Sequence, residues 1–248
     1  MSIVVIGNFD GVHKGHQQIL NRAKEIAGDE KIVALTFDPH PVSIFAPERT
    51  PTLLTILSDK IELLKIHNAD QVAVIKFTKE FAAMSPEEFV NKVLVEQLKA
   101  TTVIVGQNFT YGFKAAGNVQ SLGQHTEFET IVLDLQSNAE KAISSTRIRT
   151  AITNGDVESA REMLTRPHRL DGIVVHGEKR GREIGYPTAN LGNIEGQTIP
   201  ADGVYAGWLT VGIDRWPAAI SIGTNPTFEG VRGRQVEAYA LDQVGLDL

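Results

Sequence analysis

The first sixteen residues constrain the fold more than any other stretch. Ile3-Val4-Val5-Ile6 is an apolar run that breaks into Gly7-Asn8-Phe9-Asp10-Gly11-Val12-His13-Lys14-Gly15-His16. This predicts a buried strand turning into a helix, with glycines that let backbone approach a ligand closely. Ile19, Ala23, Ile26 and Ala27 follow at helical spacing, and Gly28 is a C-terminal stop. His13 and His16 then fall in or just before the first turn, on about the same face. Unpaired backbone N–H groups and the positive end of the helix dipole point there too. Open α/β sheets bind ligands outside the carboxyl ends of their strands. Two of the seven histidines stand at that place. A lone His-x-Gly-His also arises by chance on ordinary surface, but this position points to chemistry on a nucleotide phosphate.

Length and composition narrow the classes. A chain of 248 residues can form one large or two modest domains. Its net charge of −6 argues against nucleic acid as a partner. With no cysteine, disulfides, thiolate metal sites and a cysteine nucleophile are excluded. No run approaches the roughly 18 apolar residues of a membrane span, and the chain opens on a strand rather than a signal peptide. No membrane partner is expected, and a cytoplasmic enzyme fits best. The sequence assigns no oligomeric state.

Along the chain, Lys31–Phe37 reads as a buried strand ending in the rigid Asp38-Pro39-His40-Pro41 loop, where His40 reads as loop packing. Ser58–Ala69 reads as a helix and Gln71–Phe77 as a strand. Ser85-Pro86-Glu87-Glu88 combines an N-cap, an N1 proline and a capping-box glutamate, ahead of apolar Phe89, Val93, Leu94 and Leu98. Strands are predicted at Thr102–Val105 and Phe128–Leu135, then helices at Ser145–Asn154 and Asp156–Leu164 divided by Gly155. The β-α-β order implies an α/β domain over residues 1–166, with a doubly wound parallel sheet. Beyond Pro167, short alternating runs at Arg169–Val175, Val204–Val211, Ala218–Ile222 and Val236–Leu241 predict a small antiparallel β-barrel over residues 167–248.

Within the first domain, Ser144-Ser145-Thr146 at a helix start can cap that helix or bind phosphate oxygens, and Arg149 shares a face with Ser145. Gly7–His16, Gly106-Gln107-Asn108-Phe109 and Ile143–Arg149 together closely resemble the adenylyltransferase module of bacterial bifunctional riboflavin kinase/FAD synthetases. The resemblance runs over essentially the whole chain, with its motifs in order. It implies a nucleotidyltransferase domain in which an FMN phosphate oxygen attacks the α-phosphate of ATP and pyrophosphate leaves. It also implies His13 and His16 as catalytic residues and Gly7, Phe9, Asn108, Ser145, Thr146 and Arg149 as ATP and phosphate contacts. Arg49 is implied as a flavin or phosphate contact; an isolated arginine also reads as a solvated surface group.

In the second domain, Gly177–Tyr186 is a glycine-punctuated loop with three basic residues, plausible over a polyphosphate and equally a charged hairpin tip. Thr188 and Asn190 share a face if extended and offer oxygens suited to Mg²⁺. Glu237 lies in an apolar strand, where it can also face solvent by alternation. Pro187-Thr188-Ala189-Asn190 resembles the flavokinase signature of the same family. That implies Gly181, Thr188 and Asn190 as ATP and metal contacts, and Glu237 as the base toward the riboflavin 5′-hydroxyl. Asn225 is a polar loop residue without an assigned role. Family members continue several dozen residues past the equivalent of Leu248, so the barrel is expected to lack its C-terminal end. The expected small molecules are ATP with Mg²⁺, riboflavin, FMN and FAD. Alternatives are adenylyl transfer with a crippled kinase, a non-catalytic flavin-nucleotide-binding regulator, or the same fold acting on phosphopantetheine or a phosphoalcohol.

Overall fold

Strand β1 (Ser2–Ile6) is buried at every position, which requires partners on both edges and both faces. A computed structural model, describing residues 1–134, 142–175, 188–224 and 234–243, supplies them. From β1 the chain runs through α1 (Lys14–Ile26), β2 (Lys31–Asp38), α2 (Pro41–Phe45), α3 (Leu57–Ile66), β3 (Gln71–Lys76) and α4 (Lys79–Ala82). Next come α5 (Pro86–Glu88), widening into π-helical turns over Phe89–Gln97, and then β4 (Ala100–Gly106). The short elements β5 (Thr110–Tyr111), β6 (Gly117–Asn118) and α6 (Val119–Leu122) precede β7 (Glu129–Leu133), α7 (Ser145–Thr153) and α8 (Val157–Leu164).

The parallel sheet has the order β3-β2-β1-β4-β7. Its direction of winding reverses beside β1, the point where such sheets open a crevice. Alternation along β1 divides the core. Ile3 and Val5 pack with Ile19, Leu20 and Ala23 of α1 and Leu64 of α3. Val4 and Ile6 pack with Phe89, Val90, Val93 and Leu94. The doubly wound α/β architecture is therefore present.

Beyond α8, β8 (Ile173–Val175), β9 (Thr188–Gly192), β10 (Gly203–Val211), β11 (Asp214–Gly223) and β12 (Gln235–Ala240) form one antiparallel sheet in the order β10-β11-β12-β9-β8. Some elements differ from the sequence reading. The helix expected to run to Ala69 stops at Ile66, and Asn68 takes φ 76°. The strand expected over Arg169–Val175 starts only at Ile173. Arg169 instead pairs with Asp59 and Asp171, while Gln197 holds the backbone N–H and C=O of Asp171.

Backbone hydrogen bonds also join the two regions. Leu53 N–H donates to Gly196 (2.7 Å), and Thr198 N–H donates to Leu53 (2.8 Å). Nearby, burial and the Asp171 carboxyl push the Asp59 carboxyl up to about 6. Folded chains therefore hold a proton that unfolded chains release, so this group adds stability as pH falls from about 6 toward about 4. Urea midpoints of wild type and Asp59→Asn should diverge in favour of wild type over that interval. A constant difference from pH 4 to 7 would refute the assignment.

Candidate active site

The site is built from the turn between β1 and α1. Gly7 donates its N–H to Leu35 (3.1 Å) and lies against Phe9, where an added Cβ would come within 3.1 Å of the ring. The Phe9 ring itself is fully buried and meets His16 edge-on at 5.2 Å. With its ring enclosed, Phe9 could serve the expected ATP contact only through its backbone. Gly11 adopts φ +85°, and a side chain there would run into Leu54 at 2.9 Å.

His13 occupies the N-cap of α1 without a side-chain cap hydrogen bond, and no acidic residue sits in the first turn. The His13 and His16 rings stack at 3.7 Å with 18° between planes. Their Nδ1 atoms are sealed from solvent without a hydrogen-bond partner. Burial lowers His13 to about 4, against an opposing pull from Asp10. Burial, then His13 and Lys60, hold His16 well below its usual range. Both imidazoles are therefore neutral at neutral pH. Gln17 locks the turn by donating Nε2–H to Val12 (2.8 Å), Leu164 (3.3 Å) and Thr165 Oγ1 (2.9 Å).

Asp10, which sequence reasoning passed over, is the hub of this turn and is 2% exposed. Oδ1 accepts the N–H groups of Leu54 (3.0 Å) and Thr55 (3.1 Å), and Oδ2 pairs with Arg149 Nη2. Arg149 also donates Nε–H to the Thr52 carbonyl at 2.6 Å. Ser145 Oγ donates to the Asp10 carbonyl at 2.8 Å. Arg149 and Ser145, expected as phosphate contacts, are thus committed to Asp10. The hydroxyl capping α7 is that of Ser144, which leaves Thr146 exposed at the helix start. His40 caps α2, its Nδ1 accepting Val42 N–H at 3.2 Å, in keeping with its reading as loop packing.

Beside the turn lies a cavity of about 570 Å³ walled by Gly7, Asn8, Asn108 and a cluster including Phe37, Phe45, Phe77, Phe81, Phe109 and Tyr111. Gly7 and Asn108 meet here. The two histidines are outside its walls, and so is Arg49, whose side chain is 82% exposed on the Pro47–Arg49 turn. No single segment reveals this cavity, because its aromatic walls come from several loops.

In the second region Ala189 faces the core, while Thr188 and Asn190 take the other face of β9. The register sets Glu237 directly opposite Asn190 and Tyr239 opposite Thr188. Thr188, Asn190 and Glu237 therefore share one face. Gly181, Asn225 and the Gly177–Tyr186 loop lie outside the described residues. No helix among the described residues is long and apolar enough to cross a membrane.

Comparison with known proteins identifies both regions. Residues 1–147 match the family model described as FAD synthetase, and residues 164–247 that described as riboflavin kinase. A bifunctional riboflavin kinase/FMN adenylyltransferase of Listeria monocytogenes is 40% identical over 97% of this chain and 78% of its own length. Proteins of the same description are 36% identical in Bacillus subtilis, covering 94% and 75%, and 34% identical in Escherichia coli, covering 99% and 80%. A solved Streptococcus pneumoniae structure, described as a macrolide-efflux protein, superposes with a TM-score of 0.87 at 32% identity, covering 98% of this chain and 80% of that one. The chain belongs to the bifunctional riboflavin kinase/FMN adenylyltransferase family.

Proposed function

We propose that this chain makes FAD in two steps: its second region phosphorylates riboflavin to FMN, and its first joins FMN to the AMP part of ATP. The observation that carries the second step is the stacked, neutral His13–His16 pair at the uncapped start of α1, next to an aromatic cavity able to take the flavin ring. An FMN phosphate oxygen attacks the α-phosphorus of ATP. The new O–P bond forms as the bond to the bridging oxygen breaks, and pyrophosphate leaves with that electron pair. No protein nucleophile is needed, because positioning and charge stabilisation carry such transfers.

In this reading the imidazole N–H groups and first-turn amides of α1 meet the phosphate oxygens. Asn108 and Thr146 supply further polar contacts, and Gly7 gives the ligand room. Ser145 and Arg149 act through Asp10, holding the turn in place. Arg49, exposed and outside the cavity wall, is assigned no contact in this reading.

In the kinase step Glu237 takes the proton of the riboflavin 5′-hydroxyl as that oxygen attacks the γ-phosphorus and ADP leaves. The Thr188 hydroxyl and Asn190 amide carbonyl are hard oxygen donors, placed beside the Glu237 carboxylate, a set that suits Mg²⁺ held partly by substrate phosphates. The metal, when bound, neutralises charge on the transferring phosphate. The compartment we propose is the cytoplasm, for a cysteine-free chain acting on small molecules.

Purified chain with FMN, ATP and Mg²⁺ should yield FAD and pyrophosphate on chromatography, and riboflavin should replace FMN. A folded protein yielding neither FAD nor pyrophosphate would sink the adenylyl-transfer reading. Glu237→Gln should slow FAD formation from riboflavin by about 10²- to 10⁴-fold while leaving formation from FMN unchanged. Equal loss with both substrates would remove its role as the kinase base.

A further inference from the structure

One buried cation has no part in the mechanism so far. Lys60 sits in α3 and is only 6% exposed, although lysine almost never buries itself unless paired. Its ammonium makes no hydrogen bond or ion pair among the described residues. Its electrostatic partners place it at the carboxyl rim of the sheet. Asp10 after β1 and Asp38 at the end of β2 act on it, while it acts on His16 in α1 and on His40.

A structural ion pair with Asp10 does not account for it. Both Asp10 oxygens are already engaged, by Leu54 and Thr55 N–H groups and by Arg149. Asp38 stands exposed to solvent. Removing an ammonium from water without a matched partner costs free energy, and a fold keeps such a charge where a ligand supplies the counter-charge. Strained or unsatisfied groups of this kind cluster at functional sites. Among the described residues the other cations beside the imidazoles are held elsewhere: Arg149 is tied to Asp10, and Arg166, whose charge also acts on His13, donates to the Leu164 carbonyl at 3.1 Å.

We propose that Lys60 is a further catalytic residue of the adenylyl-transfer site, its ammonium contacting the ATP polyphosphate and stabilising the charge that gathers as pyrophosphate leaves. This assignment rests on the adenylyl-transfer reading above. Positive charge fixed in a poorly hydrated site needs no reorganisation as charge develops, so it lowers the barrier efficiently.

The test compares wild type with Lys60→Met and Lys60→Gln, variants that keep the length of the stem and remove the charge. Three quantities are read: kcat/KM for ATP in FAD formation from FMN, affinity for α,β-methylene-ATP by calorimetry, and thermal midpoint. Both variants should lose about 100-fold in kcat/KM and at least about tenfold in analogue affinity. Binding at the kinase region is common to all three proteins. Lys60→Met should melt at the same temperature or roughly 2–4 °C higher, because an unmatched buried charge has been replaced by an apolar chain.

Unchanged affinity and turnover in the variants would overturn the proposal. So would a lower melting temperature in both variants with turnover intact, since that is the signature of a structural lysine. Wild-type protein that binds the analogue without making FAD would sink the adenylyl-transfer reading and, with it, a catalytic Lys60. A tenfold drop in analogue affinity would then support phosphate contact alone.

Discussion

Alanine at Asp10 is expected to destabilise the chain by about 3–5 kcal/mol, the usual cost of breaking a buried ion pair by removing one partner. The carboxylate is nearly inaccessible, and its loss strands the Arg149 guanidinium together with the N–H groups of Leu54 and Thr55. Urea unfolding reads the effect directly. Arg149→Ala should cost a comparable amount. The double variant should cost clearly less than the two single losses together, because both act on one network. A loss below about 1 kcal/mol in Asp10→Ala, the net worth of one ordinary hydrogen bond, would show that the turn is held by something else.

His16→Ala is expected to cut the rate of FAD formation from FMN by about 10²- to 10³-fold, the effect of removing one preorganised donor from a charge-stabilising site. The protein should stay folded, since His16 is only partly buried while the Phe9 ring beneath it is enclosed by other core residues. Steady-state kinetics with varied ATP then separates binding from turnover: a donor that matters as charge develops lowers kcat more than it raises KM. Wild-type kcat in a well-folded variant would strip the second imidazole of its role. Riboflavin phosphorylation offers an internal control, because Glu237, Thr188 and Asn190 sit together on the second sheet.

Local physics made part of this readable in advance. A short run of β-branched residues stopped by a glycine favours a strand buried on both faces, and β1 is one. Two histidines three apart at a helix start must be neighbours, and the rings do stack. Capping chemistry located α5, whose Ser85 and Glu88 form the expected reciprocal pair. What escaped depends on long-range placement. Asp10 looked like one more polar turn residue until the fold brought Arg149, 139 positions away, against it. The pairing of Arg149 with Asp10 is invisible in the sequence for the same reason. Lys60 lies in a segment whose helical pattern says nothing of the rim it reaches. Period-two alternation showed that Thr188 and Asn190 share a face, but only the pairing of β9 with β12 could bring Glu237 beside them.

The stretch Thr52–Thr55 takes hold of both halves of the molecule through alternating groups. Leu54 and Thr55 give their N–H groups to Asp10, whereas Leu53 turns its N–H and C=O toward Gly196 and Thr198, and Thr52 Oγ1 meets Thr198 Oγ1 at 2.8 Å. One short rail therefore carries the tension of two workshops. Severing the chain between them would leave Leu53 with bare amide groups and slacken the very strip that braces the nucleotide turn, so the halves are poor candidates for separate lives.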